Sequence, residues 1–209
     1  TDTEATVTGE VTASERNAEA SFGEGTSSDA AGDIAEFELT LEDNDDTYVQ
    51  IGGPEVDFVD VLYLKADDAS EPMEIEFNTR LLGTTGSVDQ SDVYDTSNVD
   101  TIESAIYQTK AGNQITTAGS ITSPYEDDGA ISTSNNAPTR FGRYLDALGI
   151  ISSSGASDDP TFVDQLDRPL QPGEYTITAA DYGGEDFVFD ADSDGDANNQ
   201  LDSKTQTLT

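Results

Sequence analysis

The chain has 209 residues, and its 44 Asp and Glu against 8 Lys and Arg give a formal net charge of −36. It has no Cys, His or Trp and a single Met. These absences exclude a disulfide framework, a thiol nucleophile, zinc and iron–sulfur sites built on Cys or His, and any imidazole base. So few cations cannot neutralise a phosphate backbone, so nucleic acid is no expected partner, and acidic substrates and anionic membranes are repelled.

Two physical states fit such an acid excess. Disorder is one, since low hydrophobicity and high net charge oppose collapse. Against it stand 8 Phe and 8 Tyr, many of them inside alternating apolar runs. The other is a folded protein working in brine. There the Debye length shrinks to about 3 Å at 1 M salt, and uncompensated carboxylates repel one another little while keeping the surface hydrated. The composition therefore predicts an extremely halophilic source, most simply an archaeon. No run reaches the ~18 apolar residues of a membrane helix, so no direct membrane insertion is expected. The first twenty residues hold no cationic-then-apolar signal, and a chain opening on Thr1 reads as a processed product or a piece of something longer. No Asn-x-Ser/Thr sequon occurs, so any sugar would be O-linked.

Residues 5–12 (ATVTGEVT) alternate weakly and predict a short strand. Residues 13–32 read as a Gly-, Ser- and Ala-rich loop with a possible strand at 18–22. Ile34, Phe37, Leu39 and Leu41 alternate with Glu36, Glu38, Thr40 and Glu42, the period of a strand with one buried face. The acidic turn at 42–46 leads to a strand at 48–51, stopped by Gly52-Gly53-Pro54. Residues 56–64 (VDFVDVLYL) favour a strand over a helix by their Val and aromatic content. Met73-Glu74-Ile75-Glu76-Phe77 alternates strictly and continues to Leu82. Regular turns between these runs predict an all-β sandwich.

The character changes at 84–165. Val99, Ile102, Ala105 and Ile106 predict a helix over 99–110, and Phe141, Tyr144, Leu145 and Leu148 predict another over 139–148. A strand fits 114–121. This block reads as an insertion on the sandwich, with too few apolar residues for a core of its own. The domain expectation is thus a sandwich from 1–83 and 166–209 interrupted by 84–165. β character returns in Leu170-Gln171-Pro172-Gly173-Glu174-Tyr175-Thr176-Ile177-Thr178, in the short run Phe187-Val188-Phe189, and at 205–208.

Three segments carry a resemblance. Gly32-Asp33-Ile34-Ala35-Glu36-Phe37, Phe77-Asn78-Thr79-Arg80-Leu81-Leu82-Gly83 and Leu170-Gln171-Pro172-Gly173-Glu174-Tyr175, with the Tyr48-Val49-Gln50-Ile51-Gly52 strand between, occur in the order seen in a known family. They resemble the Ig-like domains of haloarchaeal S-layer and related cell-surface glycoproteins. The match covers roughly 30–83 and 166–180. It implies a mainly β, Ig-like β-sandwich, here with a mixed α/loop insertion, in a secreted surface module that assembles with copies of itself. The missing sequons depart from many members.

The sharpest local motif is Asp190-Ala191-Asp192-Ser193-Asp194-Gly195-Asp196-Ala197-Asn198. Asp190, Asp192, Asp194, Asp196 and Asn198 have the spacing of a Ca²⁺ loop, with Gly195 at the sharp turn. Position 12 is Leu201, and Asp202, one residue late, is the substitute ligand. An acidic loop between strands is the plainer reading of the same residues. No catalytic set emerges. Carboxylates are everywhere, but no apolar pocket to raise an acid's pKa and no Trp to stack a sugar is signalled. The expectation is a non-enzymatic structural protein, extracellular or on the cell surface, forming a layer or filament with copies of itself. Divalent cations would bridge it, and cell-surface glycans are further candidate partners. A pilus-like subunit polymerising by exchange of a terminal strand is one alternative. An extracellular hydrolase or carbohydrate-binding module is the other.

Overall fold

A computed structural model describes residues 18–84, 88–113, 115, 137–151, 168–180 and 200–209, of which 137–140 and 200 are described in backbone alone. Four strands form one sheet, in the order β1 (Glu19–Phe22), β3 (Ile34–Glu42), β6 (Met73–Asn78) and β7 (Tyr94–Ser97). Six form the other, in the order β2 (Thr26–Asp29), β10 (Gln200–Leu208), β9 (Gly173–Ala180), β4 (Asp46–Gly53), β5 (Phe58–Ala66) and β8 (Val99–Ser104). All neighbours are antiparallel except β2 and β10, which run parallel. The protein is mainly β, and its two sheets pack face to face in the manner of a β-sandwich.

Alternation decides which side chains fill the interior. Ala35, Phe37, Leu39 and Leu41 of β3 are buried with Met73, Ile75 and Phe77 of β6, while Glu36, Glu38, Glu74 and Glu76 point to water. From the facing sheet come Val49 and Ile51 of β4, Phe58, Leu62 and Leu64 of β5, and Tyr175 and Ile177 of β9. Phe22 meets Phe37 edge-on and Phe37 meets Phe77 at a tilt, with centroids 5.8 and 6.3 Å apart. Phe37 and Phe77 are buried, each contributing about 3 kcal/mol, and with the partly buried Phe22 they anchor the four-stranded side.

β5 is buried on both faces, which explains its near-continuous apolar run. On the neighbouring β4, the helix α3 (Ala137–Ala147) reaches the sheet at Gln50. Phe141, Tyr144 and Leu145 of α3 are buried, and the Tyr144 hydroxyl donates to Gln50 Oε1 at 2.5 Å. A Pro54–Val56 3₁₀ turn joins β4 to β5. Gly52 there has φ +87°, and a Cβ would collide with the Phe58 carbonyl oxygen, so only glycine fits.

Three sequence expectations change. The helix over 99–110 is a strand, β8, followed by a helix α2 of only Ala105–Lys110. Val99 and Ile102, three apart, satisfy a strand edge as well as a helix, and Ser104 caps α2 by accepting the Tyr107 N–H at 3.4 Å. The expected insertion does not start at 84, because β7 and β8 complete the two sheets, turned by Asn98 in the left-handed region at φ 56°. A short helix α1 (Gln90–Val93) precedes them. The strand expected to reach Leu82 ends at Asn78. The expected strands at 5–12 and 187–189, and that at 114–121 apart from Ile115, lie outside the described residues.

Candidate functional site

Of the six proposed calcium ligands, Asp190, Asp192, Asp194, Asp196 and Asn198 lie outside the described residues. Asp202 is described, and its carboxylate is occupied. Asp202 Oδ2 accepts the Phe22 N–H at 2.9 Å and so ties β10 to the end of β1. Among the described residues no group of three acidic side chains converges as a metal site would.

Two other arrangements of carboxylates stand out. The first lies on the outer face of the four-stranded sheet. Register places Glu36 opposite Glu76 and Glu76 opposite Asp95, so three acids cross β3, β6 and β7 in one row. Glu38 opposite Glu74 makes a second row, and Glu19 opposite Glu42 a third. Directly opposed Cβ atoms sit ~4.5–5.5 Å apart, and like charges there are destabilising. Strict alternation creates this face: putting the apolar residues inside forces every Glu of both strands outward together.

The second is a single buried carboxylate that the sequence reading passed over. Asp60 of β5 is fully buried and shares its strand face with Phe58, Leu62 and Leu64. That company was the available signal, since on a strand a residue two away from Phe58 and Leu62 must turn inward with them. Asp60 Oδ2 accepts from the Tyr94 hydroxyl at 2.8 Å and the Ser104 hydroxyl at 2.6 Å, and Oδ1 accepts the Ile106 N–H at 3.2 Å. One carboxylate thus joins β5, the opposite sheet through β7, and the start of α2. Burial pushes its pKa up to about 6, against the pull of these hydrogen bonds. Burial also raises the Tyr94 and Tyr107 hydroxyls, with the Asp60 charge adding to it. Among the described residues, the buried Tyr107 hydroxyl has no hydrogen-bond partner. Ser104 is held in turn by Gln90, whose Oε1 accepts the Ser104 N–H at 2.9 Å. With no opening to solvent at Asp60, the arrangement serves as a polar bolt between layers.

A family model described as Domain of unknown function (DUF7827) matches residues 11–134. The chain belongs to the DUF7827 family. The matched span takes in β1 to β8, and with them all three acidic rows, Asp60, Tyr94, Ser104 and Tyr107. The strands β9 and β10, which complete the six-stranded sheet, lie beyond it. No curated protein and no solved structure matches the chain.

A third feature lies within the DUF7827 span except for Lys204. A cleft of about 630 Å³ opens where the chain passes from β1 to β2 and so changes sheets. Glu24, Ser27, Asp29, Ile34, Glu36 and Glu38 are among the residues lining it, with Lys204 of β10 at its base. Lys204 is only 4% exposed, and its Nζ donates to the Glu36 carbonyl at 3.4 Å. Burial lowers its pKa, and Glu24, Asp29 and Glu36 oppose that shift.

Proposed function

We propose that this chain is a structural module of an extracellular layer or filament, working in concentrated salt and assembling with copies of itself. The observation that carries this reading is the Glu36–Glu76–Asp95 row with its Glu38–Glu74 neighbour. In dilute buffer such a face opposes both folding and contact between copies. In molar salt the Debye length of ~3 Å falls below the spacing of the opposed side chains, and the face becomes a hydrated surface that another subunit can approach. An extremely halophilic archaeal source fits the same charge balance. Divalent cations would strengthen such contacts by bridging carboxylates, and the Asp190–Asn198 spacing offers one place for calcium.

An immunoglobulin-like fold is the finer reading of the architecture. The order β1-β3-β6-β7 follows the A-B-E-D sheet of that fold, and β10-β9-β4-β5 follows G-F-C-C′. Tyr175, near the start of β9, donates its hydroxyl to the Gln171 carbonyl at 2.8 Å and accepts the Gln171 N–H at 3.0 Å. This is the geometry of a tyrosine corner, which belongs at the start of strand F. The connectivity departs from the usual one: β6, in the E position, comes before β7, in the D position.

The test is electron microscopy together with thermal melts of the protein in 0.1 M and 3 M KCl, with and without calcium. Assemblies and a raised melting temperature in high salt are expected. A protein equally folded and monomeric under all conditions would rule the proposal out.

A further inference from the structure

The edge of β3 is covered unevenly. On one side β6 pairs with it from Ile34 to Leu39. On the other, β1 pairs only with Leu39 to Glu42, and among the described residues no strand covers Ile34 to Glu38. The backbone groups left there point into the cleft. Glu38 O accepts the Gly23 N–H at 3.0 Å on this side. Alternation then turns the N–H and C=O of Glu36 the same way. The Lys204 ammonium on the Glu36 carbonyl takes the place a neighbouring strand's N–H would fill. Ile34, at the mouth, is 57% exposed, the one exposed large hydrophobic among the described residues.

We infer that this open edge of β3 is a strand-acceptor site for residues 5–12 of a second copy of the chain. The inference rests on the self-assembly reading for its choice of partner. Ala5, Val7, Gly9 and Val11 alternate with Thr6, Thr8, Glu10 and Thr12, so an added strand would set its small apolar side chains inward and its polar ones beside Glu36 and Glu38. With Glu10 as its only charge, the segment adds little repulsion to an acidic cleft.

Chain length argues for a second copy over the same one. β1 begins at Glu19, opposite Glu42. That is eight residues, or about 27 Å, from Ile34. An antiparallel partner must place its last residue near Ile34, yet the seven steps from residue 12 to residue 19 span at most about 25 Å. In this antiparallel sense, the sense of both pairings β3 already makes, the chain's own segment falls short even before it skirts β1. A neighbour's segment has no such tether.

The chain has no cysteine, so single thiols can report the contact. A Thr8→Cys protein is mixed with a Glu38→Cys protein in molar salt and treated with a short bismaleimide. A crosslinked heterodimer is expected. Adding Glu36→Pro to the acceptor removes the open-edge N–H and leaves the β6 ladder intact. It should lower the yield at least tenfold, while Glu36→Ala keeps it. A peptide of residues 1–17 should compete with the crosslink, a readout that needs no proline variant to fold. No heterodimer, a yield unchanged by Glu36→Pro in a folded acceptor, or no competition overturns the site. Crosslinking within the Thr8→Cys/Glu38→Cys double variant at high dilution overturns the second copy as occupant. Assemblies seen by microscopy without the crosslink sink the strand site and leave self-assembly standing. A protein that stays monomeric yet captures the peptide sinks self-assembly and, with it, the second copy as occupant, leaving only the open edge as a strand site.

Discussion

The Tyr94 hydroxyl of one sheet donates to the Asp60 carboxylate of the other across 2.8 Å, in a core otherwise dominated by apolar side chains. With Ser104 and Ile106 completing the shell, the carboxylate is satisfied but desolvated. Removing the acceptor altogether should therefore be severe. Asp60→Ala leaves two hydroxyls and a backbone N–H without their acceptor, a loss of ~3 kcal/mol or more, measurable by denaturant melts in molar salt.

Asp60 also sets a pH dependence of definite sign. Its folded-state pKa, about 6, stands above the ordinary aspartate value of 3.8. The folded state then binds the proton more tightly, so the contribution is full below the unfolded pKa and is lost as pH rises through about 6. At neutral pH the buried charge costs roughly 3 kcal/mol relative to its protonated form. Asp60→Asn is expected to flatten the stability profile between pH 4 and 7. Identical slopes for the two proteins would contradict this.

Tyr107→Phe should be neutral or stabilising. Its hydroxyl is buried without a partner among the described residues, so its removal relieves a desolvation penalty of ~1 kcal/mol. A clear fall in melting temperature would show that the hydroxyl is bonded in solution.

Glu76 faces acids on both sides, Glu36 and Asp95. Glu76→Gln should stabilise by ~0.5–1 kcal/mol in dilute buffer and by almost nothing in 3 M KCl. Melts of both proteins at the two salt concentrations check it; an equal gain in each would mean that charge is not the cause.

Tyr175→Phe removes both contacts to the Gln171 backbone. A loss of ~1–3 kcal/mol is expected in a denaturant melt, with the ring still packed in the core. An unchanged midpoint would mean that the corner adds nothing to stability.

What the sequence revealed follows from how sharply each segment separates its two faces. β3 and β6 could be read residue by residue because Glu alternates with Phe, Leu, Ile and Met. β8 could not, since Val99 and Ile102 are only partly buried at a sheet edge and their spacing suits a helix equally. β7 (YDTS) carries one buried residue, Tyr94, and so offers no period to read. Asp60 was hidden because acids are so common here that an inward one resembles all the others. The acidic rows depend on register between distant strands, which no local pattern encodes.

The parallel pairing of β2 with β10 has a kinetic meaning. Thr26 finds its partner in Thr205, 179 positions later. No stretch that stops short of β10 can close the six-stranded sheet, so a chain emerging from a ribosome must wait until β10 arrives. Such long-range closure makes for slow maturation, since the sheet stays open until β10 has been made.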